Sequence, residues 1–454
     1  MSFVVCADFG STFTKALLVD VDGGRLVASA SARTSVDTDV LDGWARCRDE
    51  LARAEPAAAR AQVRACSSAG GGLRIGVVGN EELVTSEAGR RVALSSGGRV
   101  VHVGAGGLDD RRLEALRASR PDLVLLVGGT DGGNAEVVAS AAARLGEARW
   151  PGPVVLAGNA DAVGPAGAAL RAGGVNHEVA GNVMPRIGVL TPEPARAAIR
   201  AAFLRHVIGG KHLSASAEFE QMVRGPTPDV VRRGVEVLAT VVGEVAVVDV
   251  GGATTDVYSV VEPDPEDAGL ARQVVAPTRT TRTVEGDLGM RWSAQSTVQG
   301  GVEAGLVDPA ELPGLAAAAQ ERHDDPGLVP GDDEGRGADL RLAEVAAGVA
   351  LRRHCGRQRV VLGAGGRVVE RTGKDLREVG VLVGSGGVLR HAPPGAAEQV
   401  LAASTGTEVP GGWLLPRAPR LAVDTAYVLM AAGLLASDLP GVADALLTSS
   451  IGGA

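Results

Sequence analysis

The residues best suited to chemistry sit on two short turns. Asp8-Phe9-Gly10-Ser11-Thr12 follows the apolar run Val4–Ala7 and leads into Thr14, Lys15 and more apolar residues. Asp249-Val250-Gly251-Gly252-Ala253-Thr254 follows Val245–Val248 and leads into another apolar run. Each pattern reads strand, tight turn, strand. Gly10, Gly251 and Gly252 let backbone N–H groups approach phosphate oxygens closely. Ser11, Thr12 and Thr254 add hydroxyl donors, and Lys15 offers a point charge to a non-bridging oxygen. Asp8 and Asp249 would repel phosphate directly, so their expected task is to hold Mg²⁺, mainly through its waters. One such hairpin is an ordinary β-turn; two matched copies point to a triphosphate held between turns that face each other across a cleft. A third element, "VGVLVGSGGVLRH", reads strand, glycine turn, helix. Gly384, Gly386 and Gly387 leave room there for adenine and ribose, and a helix N-terminus favours anions.

Composition narrows the function classes. Net charge is -9 with a pI of about 5.4, which argues against a general binder of nucleic acid or of anionic membranes. Cys6, Cys47, Cys66 and Cys355 are widely spaced with no C-x-x-C, so neither a zinc or iron–sulfur site nor a disulfide framework is indicated. No apolar run approaches the roughly 20 residues of a membrane span, and no basic leader precedes the first strand, so cytoplasm is the expected compartment. Lysine is confined to Lys15, Lys211 and Lys374 in a chain with 45 Lys and Arg. A lysine here therefore marks a place where a compact ammonium suits better than a planar guanidinium.

These turns need strands to carry them. Strand-like and helix-like runs alternate throughout, the signature of α/β architecture. The stretch 66–190 reads as short β-then-α units of a doubly wound parallel sheet, inserted after the first hairpin. Pro192 to Arg233 reads as largely helical. "EPDPEDAG" and the segment Pro309 to Gly337 are acidic and rich in Pro and Gly, and the second is expected to be a mobile loop. A final helix starts near Asp424, its expected N-cap. The expected organisation is 1–65 and 191–245 as one half, 66–190 as the insertion, 246–400 as a second half, and 401–454 as a C-terminal helical segment.

Weaker signals carry two readings each. "GGTDGGN", Gly128 to Asn134, is either a ligand or partner surface or a tight turn after a strand. Glu285 and Asp287 are candidates to support a metal, or surface carboxylates. Lys374-Asp375 lies near the base and ribose, or on an exposed loop. His102 reads as a strand residue, and the insertion lacks the D-x-H-x-x-G motif of cobalamin-binding domains.

The order of the two hairpins and the glycine turn resembles the actin, Hsp70 and sugar-kinase ATPase superfamily. More closely, "DFGSTFTK", "LVGGTDGGN", "AGNADA", "NVMPRIGVL", "VDVGGATTDVYS", "EGDLGMR", "GKDL" and "DTAYVLMAAGLL" resemble the glutamate mutase accessory family called GlmL or MutL. The likeness runs nearly end to end, apart from the acidic stretch near 309–337. It implies two actin-like halves, duplicated ribonuclease-H-like units, with an inserted doubly wound α/β domain. It implies a slow ATPase using ATP and Mg²⁺ that reactivates an adenosylcobalamin-dependent mutase by contact with its subunits, with a homodimer left open. Carried over by residue, Asp8, Gly10, Ser11, Thr12 and Lys15 form the first phosphate site. Asp249, Gly251, Gly252, Thr254 and Thr255 form the second, with Asp8 and Asp249 catalytic through the metal. Gly384, Gly386 and Gly387 face the adenosine. Asp256 departs from a simple phosphate loop. A small-molecule kinase of the same superfamily and an actin-like assembly protein are the rival functions. A kinase would need a base over an acceptor hydroxyl, and the 2% aromatic content weighs slightly against a sugar site.

Overall fold

In the computed structural model, the residues described are 2–35, 38–69, 71–208, 213–214, 216–263, 278–363, 366–407 and 409–452. Lys211 and most of "EPDPEDAG" lie outside them. Largely apolar runs build the first sheet. Strands β1 (Phe3–Phe9), β2 (Phe13–Asp20) and β3 (Arg25–Arg33) form an antiparallel meander, and β4 (Gln62–Ser67) runs parallel to β1 on its other side. The period of two sends Val5, Ala7 and Phe9 into a buried core. Asp8 lies directly across from Lys15, so the two share the other face.

The chain then builds a separate sheet. β5 (Leu73–Val78), β6 (Gly98–Gly104), β7 (Leu123–Leu126), β8 (Val154–Leu156) and β9 (His177–Val179) are all parallel, in the order β6-β5-β7-β8-β9. That is a doubly wound order with its switch point between β5 and β7. Both faces are covered, as parallel sheets require. Leu125 and Val127 join the core that holds Val5, Ala7 and Phe9, while Val124 and Leu126 pack with Leu113 and Leu145 on the opposite face. The insertion therefore follows β4, not the first hairpin, and it shares a core with the sheet it interrupts.

The fifth strand of the first sheet, β10 (Val223–Pro226), lies parallel to β4 and completes the order β10-β4-β1-β2-β3. It sits in the span read as largely helical, between helices Ala217–Met222 and Thr227–Val242. Four residues ending in proline show no alternation, so its strand character comes from the sheet.

From Val245 the same pattern recurs. β11 (Val245–Val250), β12 (Thr255–Val260) and β13 (Thr280–Glu285) form an antiparallel meander. After a separate hairpin of β14 (Arg357–Gly363) and β15 (Gly366–Thr372), β16 (Val381–Ser385) runs parallel to β11 and β17 (Arg420–Val423) parallel to β16. The order β13-β12-β11-β16-β17 repeats that of the first sheet strand for strand. The fold is thus two actin-like halves, each a ribonuclease-H-like unit, with the doubly wound insertion in the first. β17 falls within 401–454, so that stretch is not only helical. Two compact units are present: Met1–Gly234 with Met430–Ala443, and the described residues between Val235 and Leu429 with those from Asp444 onward. Among the described residues no helix is long and apolar enough to cross a membrane.

The expected mobile loop at 309–337 is instead two helices. Leu312–Asp324 and Asp333–His354 cover most of it, the second capped by Asp332 Oδ1, which accepts from Gly335 N at 2.8 Å. Arg322, 2% exposed, bonds Asp339 Oδ1 at 2.8 Å and the Gly335 carbonyl, and Arg341 bonds Glu311. The acidic residues that suggest a solvated loop are caps and partners for buried arginines.

The same helix ends in a pH-sensitive contact. His354 is buried with Nε2 2.8 Å from Ser259 Oγ and Nδ1 2.9 Å from Thr283 Oγ1. Burial, with the Lys374 ammonium nearby, pushes its pKa down to about 3. An unfolded histidine takes its proton near pH 6.5, so the unfolded chain binds more protons below that pH. Stability is therefore full above pH 6.5 and is lost as pH falls toward 3. About 2 kcal/mol should be gone by pH 5. Urea midpoints at pH 7 and 5 should show that drop, and His354→Gln should reduce it.

Candidate functional site

The first hairpin is closed by Gly10 N, which donates to Phe13 O at 3.1 Å. A Cβ on Gly10 would stand 2.6 Å from that same oxygen, so the turn admits only glycine. Phe9 anchors the strand end: its ring meets Phe219 edge-on at 4.9 Å, and its carbonyl accepts from Ser68 N and Ala69 N. Thr12 O accepts from Thr34 N. With these carbonyls tied down, Ser11 and Thr12 are exposed, and their N–H groups donate to no protein acceptor among the described residues. Thr14 is buried against Thr34 and belongs to packing. Lys15 is half-buried, opposite Asp8.

The second hairpin repeats this geometry. Gly251 N donates to Thr254 O at 2.9 Å, and a Cβ on Gly251 would lie 2.8 Å from that oxygen. Gly252 and Ala253 are exposed, and their N–H groups likewise find no protein acceptor among the described residues. Their carbonyls are held by a strap invisible in the motif itself. Met290 N donates to Gly251 O, Arg291 N to Gly252 O at 2.7 Å, and Ser293 Oγ to Ala253 O at 2.7 Å. Thr254 is half-buried at the turn. Thr255 is not part of the exposed set: it is fully buried, and its hydroxyl donates to Leu288 O at 3.1 Å.

The two hairpins differ at one pair. Asp249, half-buried, lies opposite Asp256, where Asp8 lies opposite Lys15. Asp256 is structural. Arg282 from β13 grips its Oδ1 through Nη2 at 2.6 Å and Nε at 2.9 Å. Burial pushes this carboxyl up and the guanidinium opposes that.

Beside the second hairpin stands the glycine turn. Ser385, at the end of β16, pairs with Asp249 on β11. Gly386 has φ +102, and a Cβ there would come within 2.2 Å of Val250 O. Gly387 is exposed with open space around it. Gly384, expected to face adenosine, is buried; Leu389 and Leu401 fill the space of its missing side chain. Arg390, three residues after Gly387, lies 4.0 Å over the Tyr427 ring and bonds Thr425 O, a flat cation–aromatic pair that the motif does not signal.

Chain-wide similarity agrees with this repeat. The family model described as "MutL protein" matches residues 4–451. "Protein MutL" of Clostridium tetanomorphum is 34% identical over 453 residues, covering 97% of each chain. This chain belongs to the MutL family. Among solved structures, the ADPNP-bound activator of 2-hydroxyisocaproyl-CoA dehydratase from Clostridium difficile is similar over 98% of this chain and 96% of its own, at 11% identity and TM-score 0.31. A xylulose kinase from Lactobacillus acidophilus is similar over 97% and 91%, at 12% identity and TM-score 0.31. At those TM-scores neither likeness decides anything about this chain.

The remaining motifs of this MutL-family chain resolve into structural parts. Glu285 and Asp287 are both bound by Arg353, at 2.9 and 2.7 Å, and those bonds hold the Asp287 carboxyl below its ordinary range. Lys374 Nζ donates to Thr278 O at 3.0 Å and to Thr281 Oγ1. Asp424 accepts from Val428 N and Leu429 N, opening the helix Val428–Leu435. In "GGTDGGN", Asp131 Oδ1 accepts from Asn182 Nδ2 at 2.9 Å and Ala160 N at 3.0 Å, and Asn159 Nδ2 donates to Gly133 O. That turn, with "GNADA" and "GNVMP", ties together the ends of β7, β8 and β9.

Proposed function

We propose that this chain is an ATP-binding, ATP-hydrolysing accessory protein that reactivates an adenosylcobalamin-dependent mutase such as glutamate mutase. The observation that carries the reading is the duplicated hairpin. Two turns of one geometry, on corresponding strands of two sheets of one topology, each expose backbone N–H groups with an aspartate at the strand end. Exposed amides and hydroxyls are what a polyphosphate recognises. Ser11, Thr12 and the Gly252–Ala253 amides bind phosphate oxygens in this reading, with Lys15 adding charge. Gly386 and Gly387 receive the adenosine, and Arg390 on Tyr427 supplies an adjoining flat surface.

Among the described residues no group of three or more His, Cys, Asp or Glu is placed to hold a metal. Mg²⁺ keeps most of its waters and takes few protein ligands. In this reading Asp8 and Asp249 would orient such waters, and Mg²⁺ would neutralise phosphate charge when bound. Membership of the MutL family supports a mutase as the partner, and the cytoplasm is the expected compartment. The test uses a mutase whose cobalamin has been inactivated. Adding this chain with Mg-ATP should release the damaged cofactor and restore turnover once fresh adenosylcobalamin is supplied. Equal release without nucleotide, or rapid phosphorylation of a small molecule with no partner present, would overturn the reading.

A further inference from the structure

We infer that Thr227 is a positioning residue for Asp8, an inference that rests on the reading of Asp8 as the carboxylate serving nucleotide-bound Mg²⁺. Thr227 Oγ1 donates to Asp8 Oδ1 at 2.6 Å, a short bond to a carboxylate that is itself only 6% exposed. Cys66 Sγ approaches the same oxygen at 3.5 Å. Both donors reach it because three strands end at one edge. Asp8 on β1 is level with Cys66 on β4, and Ser67 is level with Pro226 on β10, which directly precedes Thr227.

A carboxylate rotates freely about its terminal bond unless something holds it. The Thr227 hydroxyl holds Oδ1 of this one, with the Cys66 thiol, whose one S–H also faces Ala7 O, beside it; Oδ2 then lies on the side of the turn, 3.8 Å from where a Gly10 Cβ would stand. The mount for Thr227 is stiff. It is the first residue of helix Thr227–Val242, set between Pro226 and Pro228, whose rings fix φ on either side. Its own β-branched side chain has few rotamers. Thr227 thus keeps Oδ2 directed at the turn without touching nucleotide.

The experiment compares ATP hydrolysis in the full chain. Thr227→Val keeps the shape and removes the donor. It should lower kcat about 10-fold and raise the Mg²⁺ concentration for half-maximal rate, with KM for ATP little changed. Thr227→Ser, which keeps the hydroxyl, should restore both. Thr227→Ala gives the same readout should the valine variant fold poorly. Wild-type kcat and Mg²⁺ dependence in a folded Thr227→Val or Thr227→Ala, or no rescue by serine, overturns the inference. Asp8→Asn, assayed alongside, separates the two failures. If it hydrolyses ATP normally, the metal reading of Asp8 fails. If it does not, and Thr227→Val behaves as wild type, only the positioning role fails.

Discussion

Asp8→Asn should cost about 10- to 100-fold in Mg²⁺-dependent ATP hydrolysis, the usual loss when an outer partner of a metal is removed. The substitution keeps size and keeps an oxygen for the Thr227 hydroxyl, so it removes charge and little else. Asp8 is buried, which makes Asp8→Ala a poorer test: it would leave a gap there, take the acceptor from the half-buried Thr227 hydroxyl, and confound stability with function. The folded Asn variant should melt within a few degrees of wild type. Hydrolysis at the wild-type rate in that variant would remove Asp8 from the site.

Gly386→Ala should destabilise the half that carries it and abolish nucleotide binding. A φ of +102 costs an L-residue about 1–3 kcal/mol. The new Cβ would also stand 2.2 Å from Val250 O, a backbone atom at the end of β11 that cannot yield without moving the second hairpin. Overpacking of that kind adds about 1–3 kcal/mol. Gly387→Ala provides the contrast. Gly387 is exposed with nothing near its Cβ position, so stability should stay within about 0.5 kcal/mol while ATP binding weakens. Denaturant midpoints and nucleotide affinities on both variants check this. Equal stability of the two would show that the strain at Gly386 is not real.

Much of this site is legible in the sequence because it is local. Asp8 and Gly10, or Asp249 and Gly251, lie within one turn, and a Gly N–H bonding the residue three positions on closes each. What local pattern cannot show is which way a residue faces. Thr255 and Gly384 belong to the right motifs, yet one bonds Leu288 O in the core and the other makes room for Leu389 and Leu401. Distant partners are equally silent. Thr227 reaches Asp8 across 219 residues, and Arg282 and Ser293 meet the second hairpin only through β13 and the strap that follows it. In the fold, longer apolar strands such as β1 and β11 declare themselves, whereas β10 and β17 have four residues each and become strands by pairing. The acidic 309–337 stretch reads as solvated because an acid's partner can lie far off in sequence, as Arg341 does from Glu311, 30 residues away.

The central claim is that both hairpins are needed to bind Mg-ATP. Calorimetric titration of the full chain with Mg-ATP tests it most directly, using wild type, Asp8→Asn and Asp249→Asn. The account expects one ATP per chain and weaker Mg-ATP binding in both variants. Two independent sites, or an affinity untouched by substitution in one of the hairpins, would contradict it.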